Sequence, residues 1–270
     1  MFRKHVLLPA EHGAWIWWIG PLLIGLAAAG SWSPDILVLA AAALAGFLLR
    51  QPATILVKVR SGRRPARELR PALAWAIVVA VLLGLITAVL VARGHARILI
   101  LAVPGVLVFG WNLWLVGRRM ERGQMGIEVV GAGVLALAAP AAYWVCAGSS
   151  SSLPWILWLL CWLQSAASIV LVYFRLGYRK LPATPPMRQR IRDGRRSLLY
   201  HGFNAVLASL LALLGAIPEL MASAFLLMLL DGLAALARPP LGQPPTKIGV
   251  RQLLASSVFV ALSVIGFITF

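Results

Sequence analysis

The sequence predicts an all-α membrane protein, with residues 1–270 forming a single transmembrane domain. Hydrophobic residues make up 61% of the chain and charged residues only 12%, whereas a soluble domain is about one quarter charged. The mean hydropathy is +0.88. The apolar residues also fall in runs of roughly twenty, which is the length a helix needs to cross a bilayer. These observations predict a polytopic bundle of transmembrane helices.

Nine apolar runs predict nine spans. In chain order they cover residues 14–30, 34–50, 72–92, 97–117, 126–148, 153–174, 197–217, 219–237 and 252–270. Gly30 with Pro34, Gly148 with Pro154, and Pro218 mark tight connections, which pair consecutive helices into antiparallel hairpins. The loops at residues 51–71 and 175–196 are longer and basic, and each has room for a short interfacial helix. The tryptophans near the span ends predict an interfacial aromatic belt.

The positive charge is concentrated on one side of the predicted membrane. Of the 25 lysines and arginines, 23 fall before the first span or in alternate loops, and only Arg93 and Arg97 fall on the other side. The positive-inside rule then predicts a cytoplasmic N-terminus and an extracytoplasmic C-terminus. Because the charge sits in loops between apolar runs, the net charge of +17 indicates topology and anionic lipid rather than nucleic acid as partner.

Two ionisable groups stand together where the first span begins. Glu11 and His12 follow a short basic segment and precede Trp15. Ionisable groups at a membrane helix usually pair, face a wet cavity or take part in chemistry, so we take both as candidate catalytic residues. The alternative is that Glu11 interacts with the helix dipole and that His12 is an interfacial ring.

Further polar residues lie inside the predicted spans, most of them in the cytoplasmic third. They are Asn112, Glu128, Gln164, His201, Asn204 and Asp231. Basic residues at the nearby span ends and loops are Arg50, Lys58, Arg175, Arg179, Lys247 and Arg251. We expect these residues to line one polar cavity that opens to the cytoplasm and binds an anionic group. Two alternatives are pairwise bonding between helices and arginines that merely set topology and snorkel.

No recognised nucleotide-binding, zinc or hydrolase motif is present, and no metal or cofactor site is predicted. The two cysteines, Cys146 and Cys161, lie inside predicted spans and are interpreted as small core residues.

The chain resembles the YwiC-like family of bacterial integral membrane proteins. The resemblance lies in the segment from Pro9 through Glu11-His12-Gly13-Ala14 to Trp15, in Pro21, in Arg50 with Pro52, and in Lys247-Ile248-Gly249. It implies a multi-pass protein of the bacterial cytoplasmic membrane and does not imply an established reaction.

The layout is also similar to that of UbiA-type prenyltransferases. In that superfamily, the loops after the second and sixth spans carry aspartate-rich motifs that hold magnesium and a prenyl diphosphate. Here residues 50–58 and 173–179 contain no aspartate, and arginine and lysine stand in their place. The resemblance therefore implies the fold without the usual magnesium ligands.

Three functional hypotheses follow. The first is a cytoplasm-facing site that binds an amphiphile with an anionic head, such as a prenyl or quinone-type lipid, with or without transfer chemistry. The second is a transporter for a small anion. The third is a non-catalytic subunit of a membrane complex that binds other membrane subunits. A lateral opening between helices would favour the first, a path to the outer face the second, and the lack of a cavity the third.

Overall fold

The computed structural model describes residues 15–120, 124–148 and 150–270. Over these residues the chain forms ten α-helices and one 3-10 helix. The α-helices are α1 (Ile16–Ala28), α2 (Asp35–Arg60), α3 (Leu69–Ala92), α4 (Ile98–Gly117), α5 (Met125–Ala136), α6 (Ala138–Ala147), α7 (Leu153–Tyr178), α8 (Met187–Leu213), α9 (Glu219–Ala237) and α10 (Pro245–Thr269). The 3-10 helix, Ala66–Glu68, precedes α3.

Seven segments of the described chain are long and apolar enough to cross a membrane. The fifth predicted span is one of them, although it is built from two helices, α5 and α6. The first and seventh predicted spans, α1 and α8, are not among the seven. The described part of α1 has 13 residues, and α8 carries five arginines before Ser197. The structure thus confirms a multi-pass helical bundle.

The break between α5 and α6 has a local cause. Pro140 has no N–H to donate to the carbonyl one turn earlier, and Leu137 N–H bonds to Val134 O at 3.1 Å instead of continuing the α-helical pattern. The carbonyl of Gly133 is therefore free to accept another donor, and Trp158 Nε1 on α7 donates to it at 2.9 Å.

Two predicted loops are largely helical extensions of neighbouring spans. The second span was predicted to end at Arg50, but α2 continues to Arg60. The loop after the sixth span was predicted to cover residues 175–196, but α7 runs to Tyr178 and α8 begins at Met187. Most of each basic segment therefore continues the helical hydrogen bonding of a neighbouring span, and the short separate helix in the first loop is the 3-10 helix Ala66–Glu68.

The bundle has two parts joined by α1 and α6. In one part α2 packs against α3 and α4, and in the other α7, α8, α9 and α10 pack in sequence as neighbours. Helix α1 contacts both α6 and α10. Its closest approach is at Gly25, where a Cβ atom would lie 2.1 Å from Ala139 O on α6. Only glycine permits these two backbones to meet.

The two largest apolar clusters of the core are one that includes Phe225 and Phe259 and one that includes Leu39 and Leu137. Outward faces of α3, α4 and α8 expose large apolar side chains, which is the pattern expected of lipid-facing helices. Cys161 is 2% exposed in the first cluster, as predicted for a core cysteine, whereas Cys146 is half-buried near the end of α6.

Candidate functional site

The ends of several helices meet at one end of the bundle, which we call the basic end. It comprises the C-terminal ends of α2, α4, α7 and α9 and the N-terminal ends of α8 and α10. Three arginines connect these elements through backbone carbonyls: Arg63 donates to Val116 O, Arg179 Nε to Gln243 O at 3.1 Å, and Arg190 Nη1 to Leu236 O at 2.6 Å. Arginine is thus both a charged surface group and a cap for helix termini here.

A partly buried ion cluster joins α7, α9 and α10 near this end. Arg175 Nη2 on α7 lies 2.7 Å from Asp231 Oδ2 on α9, and Arg251 Nη2 on α10 lies 2.7 Å from Asp231 Oδ1. Arg251 Nε also donates to Oδ1 at 3.1 Å. The Arg175 side chain is only 2% exposed. Two guanidinium groups therefore share one carboxylate, which leaves the cluster with an excess of one positive charge.

Arg175 retains an unsatisfied donor. Its Nη1 atom is buried and has no hydrogen-bond acceptor among the described residues. A buried unpaired N–H is unfavourable by about 1–3 kcal/mol, more for a charged group. The cluster thus has more donors than Asp231 can satisfy.

His201 lies beside this cluster on α8 and is 3% exposed. Its Nδ1 lies 2.8 Å from Ser197 O, one turn earlier. Its ring packs against α9 at Gly232, where an added Cβ would lie 3.8 Å from Nδ1. The imidazole is therefore held next to Asp231 by a fixed hydrogen bond and by the absence of a side chain on Gly232.

A cavity of about 150 Å³ lies on another side of α7, between α1, α5, α7 and α10. Most of its wall is apolar, with Ile16 and Trp17 from α1 and Ile169 from α7. Its polar groups include Glu128, which accepts a hydrogen bond from Tyr173 Oη at 2.8 Å, and Gln252 of α10. Since Arg251 and Gln252 are adjacent, α10 borders the cavity and the ion cluster at the same level.

A second, smaller cavity of about 10 Å³ continues toward the bundle centre. Gln164 and Ser256 line it, and Gln164 Nε2 donates to Ser168 Oγ at 3.1 Å and to Ser256 Oγ at 3.4 Å. The volume has room for about one water molecule. The buried side chains of Ile24 and Phe259 also line it.

The structure does not bring all the predicted site residues into one cavity. Arg175 and Asp231 are together in the ion cluster and His201 lies beside it, whereas Glu128 and Gln164 line the cavities. Asn204, on α8, donates from Nδ2 to Leu163 O at 2.9 Å. Lys247 is exposed in the first turn of α10.

The remaining predicted residues lie elsewhere or outside the described chain. Arg50 and Lys58 are half-buried on α2, and Asn112 is half-buried on α4. Glu11 and His12 lie outside the described residues. Arg175 was expected at the rim but is buried, because α7 continues for three residues beyond it and α9 packs against it.

Sequence reasoning missed two cavity residues, Tyr173 and Gln252. Gln252 and Ser256 stand four residues apart on an otherwise apolar helix, so that one helix face carries both. That spacing could have revealed a polar face on the last span. Among the described residues, no group of three or more His, Cys, Asp or Glu side chains could hold a metal ion.

The fold defines a polytopic helical membrane protein with polar side chains buried inside the bundle. A solved structure that is similar over the whole chain comes from work on "the biosynthesis of Digeranylgeranylglyceryl phosphate synthase in membranes". That protein is a UbiA-type prenyltransferase. The TM-score is 0.60, the sequence identity is 12%, and the alignment covers 94% of each chain. At this identity the similarity shows the fold alone.

The family is shown by the sequence itself. The model of the family described as YwiC-like protein matches residues 8–143, which is half of the chain, and the chain belongs to this family. No curated protein matches the sequence.

Proposed function

We propose that this protein binds an amphiphile with an anionic head at an intramembrane site that faces the cytoplasm. The observation that carries the proposal is the ion cluster, in which two guanidinium groups share one carboxylate and Arg175 Nη1 lacks an acceptor. An additional anionic group would complete this set of donors. A prenyl or quinone-type lipid provides such a head together with an apolar tail.

The neighbouring cavity supports the amphiphilic character of the ligand. Its apolar wall from α1, α7 and α10 suits a hydrocarbon chain, and it lies at the same level as Arg251. Arg251 is half exposed and forms the outer side of the ion cluster. A ligand with its head at Arg251 and its tail along α10 would use both features.

Glu11 and His12 remain part of the proposal. His12 stands four residues before Ile16, which lines the cavity. A chain of that length reaches at most about 14 Å. We assign to these two residues the orientation of the ligand or the movement of a proton, since an imidazole titrates near neutral pH.

The proposal includes an orientation. The basic end faces the cytoplasm of a bacterium, with the N-terminus inside and the C-terminus outside, because it holds most of the lysines and arginines. The remaining predicted residues (Arg50, Lys58, Asn112, Arg179, Asn204 and Lys247) then contribute to the positive potential or to the packing of the site.

Magnesium is not required in this proposal. The segments that carry aspartate-rich motifs in UbiA-type enzymes contain basic residues here, and guanidinium groups can hold an oxyanion directly. A transport role is less well supported, because the small inner cavity has room for only about one water molecule and is itself lined by the buried side chains of Ile24 and Phe259. Ion pairs that only join helices, as in a non-catalytic subunit, are the other alternative.

The test is ligand binding by the purified protein. Copurifying lipids should first be identified by mass spectrometry, and binding of farnesyl diphosphate should then be measured with and without a chelator. Arg175→Ala and Arg251→Ala should each weaken binding about ten- to a hundredfold, the effect of losing one charge-assisted contact. Arg50→Ala tests whether α2 contributes.

The matched control is Arg196→Ala, which removes an exposed arginine from α8. It should leave binding unchanged. Loss of binding in the chelator would contradict the metal-free proposal. Wild-type affinity in both cluster variants would show that these arginines only join helices.

A further inference from the structure

The donors of the ion cluster outnumber the acceptor atoms of Asp231. Oδ2 accepts from Arg175 Nη2, and Oδ1 accepts from both Nε and Nη2 of Arg251. Both carboxylate oxygens are thus engaged, yet Arg175 Nη1 is unsatisfied. A carboxylate is planar and has two oxygens, whereas a phosphoryl group presents three. A phosphoryl group is therefore the better match to these two guanidinium groups.

The three side chains are layered from the interior to the outside. Arg175 is 2% exposed, Asp231 is 17% exposed and Arg251 is 50% exposed. The exposed side chain of Arg251 thus has room to move at the outer side of the cluster, whereas the side chain of Arg175 is held in place by the surrounding helices. An anion that arrives at the basic end meets Arg251 first and reaches Arg175 only if Asp231 moves.

We infer that Asp231 occupies the place of the ligand's phosphoryl group, and that binding exchanges this internal carboxylate for a phosphoryl head. The inference rests on the proposed function and extends it in two ways. It names a phosphoryl group as the head, and it makes Asp231 a competitor for the ligand instead of a contact to it.

The exchange has a simple geometric basis. Asp231 is attached to α9 through one short side chain, and rotation of that side chain toward its exposed side releases both arginines. The phosphoryl oxygens then accept from Arg175 Nη1 and Nη2 and from Arg251. Because the internal carboxylate must be displaced first, the wild-type protein binds the head more weakly than the bare arginine pair would.

The test compares Asp231→Asn with the wild type, using dodecyl phosphate as the probe. The amide keeps the size of the side chain and removes the competing charge. We expect dodecyl phosphate to bind Asp231→Asn at least about tenfold more tightly than the wild type, which corresponds to one charge-assisted contact. Equal or weaker binding by the folded variant would overturn the inference.

Two further measurements keep the test decisive if Asp231→Asn does not fold. Asp231→Glu retains the competing carboxylate, so its affinity should stay near or below that of the wild type, and tighter binding would contradict the inference. In the wild type, dodecyl phosphate should raise the melting temperature more than dodecanoate at equal concentration. The reverse order would exclude a preference for a phosphoryl head.

The outcomes separate this inference from the proposed function. If wild type and Asp231→Asn both fail to bind any anionic amphiphile, the proposed function is wrong and the inference fails with it. If the wild type binds, but folded Asp231→Asn binds no more tightly, then the site exists and Asp231 is not its internal competitor.

Discussion

The indole N–H of Trp162 on α7 donates a hydrogen bond to the backbone carbonyl of Val129 on α5, across 2.7 Å. Trp162 lies nine residues beyond the start of α7, and its indole N–H is bonded within the bundle. The indole N–H groups of Trp158 and Trp162 thus both bond α7 to α5, and these two helices form two walls of the cavity. This contact requires a small residue on α5, and Gly133 provides it.

Gly133→Ala should destabilise the protein. A Cβ at this position would lie 2.7 Å from the Trp162 ring, so the ring must move and its bond to Val129 O is strained. We expect a loss of about 1–3 kcal/mol in the free energy of unfolding, as for other overpacked cores. Unfolding by SDS titration in mixed micelles would measure it.

Gly131→Ala on the same helix is the matched control. A Cβ at Gly131 would meet nothing within 4 Å, so alanine should be neutral or stabilising by up to about 1 kcal/mol through helix propensity. Equal stability of Gly133→Ala and Gly131→Ala would contradict the close contact between α5 and the Trp162 ring.

Asp231→Asn should be markedly destabilising in the absence of ligand. It leaves the buried guanidinium of Arg175 without its counterion, and breaking a buried ion pair in this way costs about 3–5 kcal/mol. Thermal unfolding in detergent would show the loss. The control is Asp193→Asn, whose side chain is 36% exposed and pairs with Arg192 at 3.4 Å. The amide oxygen can still accept the hydrogen bond that Tyr178 Oη donates to Asp193 at 3.0 Å, so the effect should be below about 1 kcal/mol.

The predicted orientation can be tested with fusion reporters. A reporter inserted near Gly62, between α2 and the 3-10 helix, should read as cytoplasmic, and one fused after Phe270 as extracytoplasmic. The reason is that the nine predicted spans place 23 of the 25 basic residues on one side of the membrane. Reversed readings at both positions would place the basic end, and the proposed site, on the outer side.

The two free thiols give an independent test of orientation. Cys146 is half-buried near the C-terminal end of α6, where Ser31 Oγ donates to its carbonyl at 3.0 Å, whereas Cys161 is 2% exposed. A membrane-impermeant maleimide applied to intact cells should label Cys146 and not Cys161. Cys146→Ser should abolish the label. Labelling that persists in this variant would show that Cys161 is accessible.

The position of the helices could be predicted largely from the sequence, because the hydrophobic length of a span is a local property. The C-terminal end of α2 and the N-terminal end of α8 could not be predicted in this way. A basic segment can leave the membrane as a loop or as a continued helix, and hydropathy does not distinguish the two. The ion pairs of Asp35 with Arg93 and His95 could not be predicted from local sequence either, because they join segments that are far apart in the chain.

By itself, the sequence determined that this chain is a multi-pass helical membrane protein of the YwiC-like family, because composition, apolar run length and motif residues are all local. Only the tertiary structure decided which polar residues meet. Arg175, Asp231 and Arg251 stand on three helices, and their contact depends on how the helices rotate about their axes and pack. Close packing at positions such as Gly25 and Gly133 sets the rotation of each helix, and the hydropathy of a single span does not reveal that rotation.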